Sequence, residues 1–108
     1  MRTRFEKLDL LEQKQLWQAE RYKEYYDELT LILREYVEAR YNMPALASTT
    51  SEIVERWIPQ TDYSEAGRQS IERLLNWADI AKFAKGVPPY NYHAEALEEA
   101  RQLIKRTE

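Results

Sequence analysis

The chain has one histidine, His93, so any nucleophile–base pair or imidazole metal site has to use it. By helical spacing it shares a face with Leu97, Ala100, Leu103 and Ile104. That company assigns it a structural, satisfied or half-buried role over a catalytic or ligand role. Carboxylates occur in close sets, Glu24/Glu28, Glu35/Glu38 and Glu95/Glu98/Glu99. Paired acids do acid–base work when burial drives their pKa values apart, and these sets fall on faces expected to meet water. Cysteine is absent, which removes thiol catalysis, disulfides and thiolate metal sites and fits a reducing compartment. The two glycines, Gly67 and Gly86, stand 19 residues apart, too far to form a phosphate-cradling loop. The Glu-x-x-His repeats that hold two metals inside a helical bundle do not occur. No cofactor is expected. Tyr22, Tyr25, Tyr26 and Tyr36 form a stripe of the kind that stacks bases, but at helical spacing on the most apolar face it reads as core.

The elements that must position these residues are helices. A length of 108 residues suits one domain, residues 1–108, able to hide roughly 65% of the surface its unfolded form exposes. Charged residues make up 32% of the chain with a net charge of −3. Their signs are interspersed, so no basic stripe offers itself to nucleic acid. No apolar run approaches the roughly 18 residues of a membrane span, and no signal-peptide core is visible. Only two Gly and four Pro punctuate the chain, and no segment alternates at period two for long. The expectation is all-α, a compact bundle of about five helices around a central tyrosine-rich helix at residues 21–41.

That central helix carries Tyr22, Tyr25, Tyr26, Leu29, Ile32, Leu33, Tyr36, Val37 and Tyr41 on one face. Lys23, Asp27, Glu28, Glu35 and Glu38 take the outer arc, and Asn42 before Pro44 stops it. Ahead of it, residues 4–18 read as a charged first helix with a bend near Gln18–Glu20. Thr49 and Glu52 form a capping box with Ala45 or Ala47 as a weak staple. The helix it opens is expected to end near Trp57, because Pro59 disfavours helical geometry at Ile58. Asp62 and Ser64 are candidate caps for the next helix, with Ile71, Leu74, Leu75 and Ala78 on its face. The stripe then jumps to Trp77, Ile80, Ala81 and Ala84, which argues for a break with Asp79 as a new cap. Gly86 is the expected left-handed terminator, with Lys82 and Lys85 at the negative helix end. Pro88-Pro89 turns the chain, and Asn91 caps a last helix at residues 92–106. Phe83 is expected in the core. Arg34 and Arg40 lie near the border of the central helix's apolar face. Either one of them pairs with Asp79 as a buried charge, or the arginines are exposed and Asp79 is a cap.

The words "EYYDELTLILREYVEARYNMPALASTTSEI" and "ADIAKFAKG" resemble a helical module at the cytoplasmic end of bacterial inner-membrane proteins of the aerotolerance (Bat) type. The matching positions are Tyr25, Tyr26, Leu29, Leu33, Arg34, Tyr36, Arg40, Ala45, Leu46, Thr49, Thr50, Glu52, Ile53, Asp79, Lys82, Phe83 and Ala84. The likeness spans most of residues 15–107 and consists of spaced words, not a catalytic signature. It implies a location at the cytoplasmic face of the inner membrane and a gene neighbourhood with MoxR-type AAA ATPases and von Willebrand A proteins. It implies no activity. Members usually follow a transmembrane helix, which this chain lacks, and Met1-Arg-Thr-Arg would suit the positive flank after one.

The functional expectation is a non-enzymatic docking or regulatory domain for a protein partner, plausibly one of those two classes. The docking surface is assigned to Lys82, Lys85, Val87, Pro88, Pro89 and Tyr90, where prolines and aromatics meet lysines outside a clear amphipathic stripe. Proline pre-orders such a loop and Tyr is a frequent anchor. The alternative is a nucleic-acid-binding domain in which helices near 49–57 and 65–77 imitate a helix-turn-helix. Glu52, Glu55 and Glu65 would then face phosphate.

Overall fold

Twenty residues without Gly or Pro, Tyr22–Tyr41, form the longest helix, α2. Its apolar residues recur at three and four, so one side is buried from Tyr25 to Val37 and the charged side faces out. Thr30 is the polar member of the buried side, and its hydroxyl donates back to the Tyr26 carbonyl at 2.7 Å. Asn42 adopts a left-handed φ of 55° and ends the helix as its side chain permits.

The computed structural model describes residues 2–107, with side chains as far as Ile104. Helix α2 packs against α1 (Arg4–Gln13), α4 (Glu65–Phe83) and α5 (Tyr92–Thr107). Between α2 and α4 run a short 3-10 turn, Ala45–Ala47, and α3 (Thr50–Glu52), which continues through a π turn at Ile53–Trp57 and a 3-10 turn at Ile58–Gln60. No strand occurs among the described residues. The fold is an all-α bundle of five helices. No described helix is long and apolar enough to cross a membrane.

Local sequence explains most of the boundaries. The Thr49 hydroxyl accepts from the Glu52 N–H at 3.2 Å, and the Glu52 carboxylate accepts from the Thr49 N–H at 2.9 Å. Those bonds hold the exposed Glu52 carboxyl below its ordinary range. Ser64, not Asp62, caps α4 by accepting from the Gly67 N–H, while Asp62 accepts from the Tyr41 hydroxyl. Ala45 is the buried member of the alanine pair.

Four expectations are corrected. Helix α1 stops at Gln13, not near residue 18, because Glu12, Gln13, Lys14 and Gln15 are all exposed and have nothing to bury. The chain folds into turns instead, with left-handed φ at Gln15 and Glu20, and these bring Leu16 into the core. The helical path does not end at Trp57. Ile58 keeps right-handed helical angles, and Pro59 is accepted at the start of a new 3-10 turn, where no backbone donor is required. Helix α4 runs unbroken through Asp79. Its stripe does not jump but continues through alanines: Ile71, Leu74, Leu75, Ala78 and Ala81 are buried in one line. Last, Gly86 is not left-handed. Lys85 takes that role with φ 53°. Gly86 lies so close to Ile80 that an added Cβ would sit 2.3 Å from its Cγ2, and its N–H donates to the Ile80 carbonyl at 3.1 Å.

Candidate functional site

Two helix ends and two turns meet at His93. The first turns of α2 supply Tyr22, Tyr25 and Tyr26, and the first turn of α5 supplies His93. The 14–20 turn supplies Trp17, and the loop before α5 supplies Tyr90. Tyr26 and His93 are 0% and 1% exposed. The Tyr26 hydroxyl lies 2.8 Å from His93 Nδ1, and the Tyr25 hydroxyl donates to the His93 carbonyl at 2.6 Å. Trp17 and Tyr22 stack on the imidazole with ring centroids 5.3 and 4.9 Å away. Tyr90 meets the imidazole and Trp17 edge-on, at 6.4 and 5.6 Å.

His93 Nε2 is buried without a hydrogen-bond partner. That fixes the more economical tautomer. If the Tyr26 hydroxyl donates to Nδ1 and the proton sits on Nε2, one donor is orphaned. The reverse orphans the phenol hydrogen and a ring lone pair. Burial pushes the His93 pKa down, and burial pushes Tyr25 and Tyr26 up. At neutral pH the cluster is therefore a neutral imidazole among protonated phenols. It is closed to solvent, and the hydroxyl bonded to the ring is the buried Tyr26 phenol, held protonated by burial, so the arrangement offers hydrogen bonding and packing.

Tyr90, at the edge of this cluster, belongs to a segment rich in exposed apolar side chains. Phe83 is 79% exposed and Tyr90 74%, and Ile80 and Val87, in the same segment of residues 80–90, are exposed as well. Phe83 thus corrects the core expectation. It lies off the line formed by Ile71, Leu74, Leu75, Ala78 and Ala81, a signal present in the spacing. Of the six residues expected to dock a partner, Val87, Pro89, Tyr90 and Lys85 are exposed. Pro88 is buried and drops out, since it seals the loop against the bundle. The Lys82 side chain is 10% exposed and its ammonium lies 3.7 Å from Asp27, and it also sits over the Phe83 ring at 5.5 Å.

The remaining named positions stay apart. Arg40 lies exposed over the Tyr41 ring. Arg34 and Asp79 are half-buried but make no ion pair with one another. Thr49, Thr50 and Glu52 stand at the start of α3. Another concavity lies between α1 and α2, floored by Leu10, Leu11, Leu31 and Ile32 and crossed by Lys7–Glu35 and Lys14–Glu28 ion pairs at 3.1 and 2.9 Å. No group of three His, Cys, Asp or Glu among the described residues is placed to hold a metal ion. Trp17 and Tyr22 as partners of His93 are not legible in the sequence: Trp17 needs the turn at 14–20, which no Gly or Pro marks, and Tyr22 needs the packing of α2 against α5. Compared with protein-family models, with curated proteins and with solved structures, the chain finds no match in any of the three.

Proposed function

We propose that this protein is a non-enzymatic docking module that holds a protein partner on the corner formed by the end of α4 and the loop before α5. One observation carries the reading. Six large hydrophobic side chains stand exposed among the described residues, and four of them, Ile80, Phe83, Val87 and Tyr90, fall within residues 80–90. Scattered exposed apolar residues are ordinary, but a concentration of them including two aromatics marks an interaction surface. Lys85 and Pro89 border it, and Pro89 limits the entropy that docking would cost. The resemblance to the Bat-type cytoplasmic module suggests the partner class, a MoxR-type ATPase or a von Willebrand A protein at a bacterial inner membrane. A nucleic-acid role gains no support, since Glu52, Glu55 and Glu65 are all exposed where phosphates would approach.

The test uses a Phe83→Ser/Tyr90→Ser double variant, first shown to be folded by far-UV circular dichroism. Both proteins are titrated against a purified MoxR-type ATPase and a purified von Willebrand A protein from the source bacterium. Loss of two aromatic anchors should weaken binding by about 30-fold or more, the equivalent of roughly 2 kcal/mol. Equal affinity of variant and wild type removes the corner from the interface. Absence of binding to either candidate overturns the partner class.

A further inference from the structure

We propose that His93 is a pH-sensitive latch: gain of a proton at Nδ1 lifts Trp17 and Tyr90 off the imidazole and frees the turn and the loop that carry them. The argument begins with the closed state. The ring is 1% exposed, Nδ1 is engaged by the Tyr26 hydroxyl, and Nε2 has no partner. A second proton can enter only at Nδ1, towards which the Tyr26 hydrogen already points. The hydroxyl must rotate to accept, and its own hydrogen then loses its acceptor. The result is a buried cation with one unsatisfied N–H and a neighbouring unsatisfied O–H, which water would relieve.

No counter-charge is bonded to the ring. The titratable groups facing it are Tyr22, Tyr25 and Tyr26 from α2 and Tyr90 from the preceding loop, with Tyr92 next to it on α5. The 14–20 turn contributes Trp17. Burial lowers the His93 pKa with no charged side chain contributing. Stacked aromatic faces attract an imidazolium but leave the Nε2–H without an acceptor.

The cover is also the part of the molecule with stored backbone strain. Among the described residues four that are not glycine have positive φ: Gln15, Glu20, Asn42 and Lys85. Gln15 and Glu20 bracket Trp17, and Lys85 opens the loop that leads to Tyr90. Only Asn42 is of a type that adopts this conformation readily. Opening releases three strained residues, so the closed and open states are closer in free energy here than elsewhere in the bundle. Tyr90 belongs to the docking corner as well, so in acid the latch would withdraw one anchor from a partner. That consequence rests on the docking reading. The latch itself belongs to the free protein and is tested there.

The chain's single histidine makes its ring resonances unambiguous in an NMR titration of the full-length protein. The His93 midpoint should fall below the ordinary 6.5. Trp17 indole N–H exchange, corrected for intrinsic chemistry, should accelerate about tenfold between about pH 7.5 and about pH 5.5, following proton uptake by the open form. The Trp57 indole, bonded to Ser48 at 3.0 Å, should not follow. His93→Gln keeps an acceptor for Tyr26 without a titrating group and should abolish the Trp17 response. A His93 midpoint at or above 6.5, an unchanged Trp17, equal acceleration of Trp17 and Trp57, or a His93→Gln variant that still responds overturns the latch. The wild-type readings decide the matter even if that variant does not fold.

Discussion

Around Leu33 and Val37 the bundle is dry. Those two side chains, with Ala45, Ile53, Ile71, Leu75 and the half-buried Arg34, surround one small void, and each of the six apolar ones is 2% exposed or less. Around His93 the burial is just as complete, yet the buried surface carries phenols, an imidazole and an indole, and its cover hangs on three left-handed residues. The two regions share α2, one on its C-terminal half and one on its first turns. Burial alone therefore does not predict behaviour. The aliphatic side chains there carry no ionisable group and no left-handed backbone, so replacing one of them should change stability by the same amount at neutral and mildly acidic pH. In the aromatic region every polar atom is a condition that solvent can break.

The largest expected effect lies in the dry region. Leu75→Ala should destabilise by about 2–5 kcal/mol, the range for deleting a buried leucine, and the loss in urea melts should be the same at neutral and mildly acidic pH. A loss that varies strongly with pH would break the contrast. Tyr26→Phe should come next, at about 1–3 kcal/mol near pH 8, because it leaves Nδ1 without its donor. Its cost should shrink as the pH falls, because Nδ1 of the folded variant, freed of the Tyr26 donor, takes up a proton more readily than in the wild type.

The pH dependence of the wild type sharpens the same contrast. A histidine whose folded pKa is lowered binds protons preferentially in the unfolded state. Its stabilising contribution is complete above 6.5 and is lost as the pH falls from there through the lowered folded value. His93→Gln should flatten this window. The contribution of the Glu52 capping bond, whose pKa is also lowered, is present above 4.5 and disappears only in stronger acid, so the two are separable in one titration of urea midpoints.

Much of the dry region was legible in the sequence, and less of the aromatic one, for a physical reason. Helix α2, its end at Asn42, the Thr49–Glu52 box and the inward face of α5 follow from periodicity and from side chains that bond their own backbone. His93 was placed inward by the same rule. Trp17 was not, since it reaches the ring through a turn in which Gln15 and Glu20 occupy left-handed positions that sequence rules reserve for Gly or Asn. The continuity of α4 through Asp79 was obscured because alanines carry the stripe there, and a small apolar residue gives a weak signal. The same oversight placed Phe83 inside. The corner at residues 80–90 was recognised as unusual from its composition, but exposure had to be read from the fold.

Gly86 tests whether the loop half of the aromatic cover is held by packing or by backbone conformation. A Cβ at this position meets Ile80, so Gly86→Ala should destabilise by about 1 kcal/mol or more. In an Ile80→Ala background the same change should cost far less. Because the backbone here is not left-handed, Gly86→Asn should offer no relief over Gly86→Ala. A milder Asn would mean that the conformation, and not the contact, selects glycine.

The smallest effects should be gains. At Gln15, Glu20 and Lys85 a Cβ is carried at positive φ, where each non-glycine residue costs roughly 1–2 kcal/mol relative to the right-handed region. Glycine removes that cost but adds entropy to the unfolded chain, about 0.5–1 kcal/mol on the helix scale. The balance for Gln15→Gly, Glu20→Gly and Lys85→Gly should be a stabilisation of a few tenths up to about 1 kcal/mol each in urea melts. Asn42→Gly, at the end of the same α2 but outside the aromatic corner, should change stability little, because asparagine already tolerates the conformation. The comparison has a second arm. If strain in the cover keeps the His93 region near its opening point, relieving it should deepen the closed state, and Trp17 exchange should slow in the three variants but not in Asn42→Gly. Equal exchange in all four would leave strain without a part in the mobility of the cover and return its acid response to the imidazole alone.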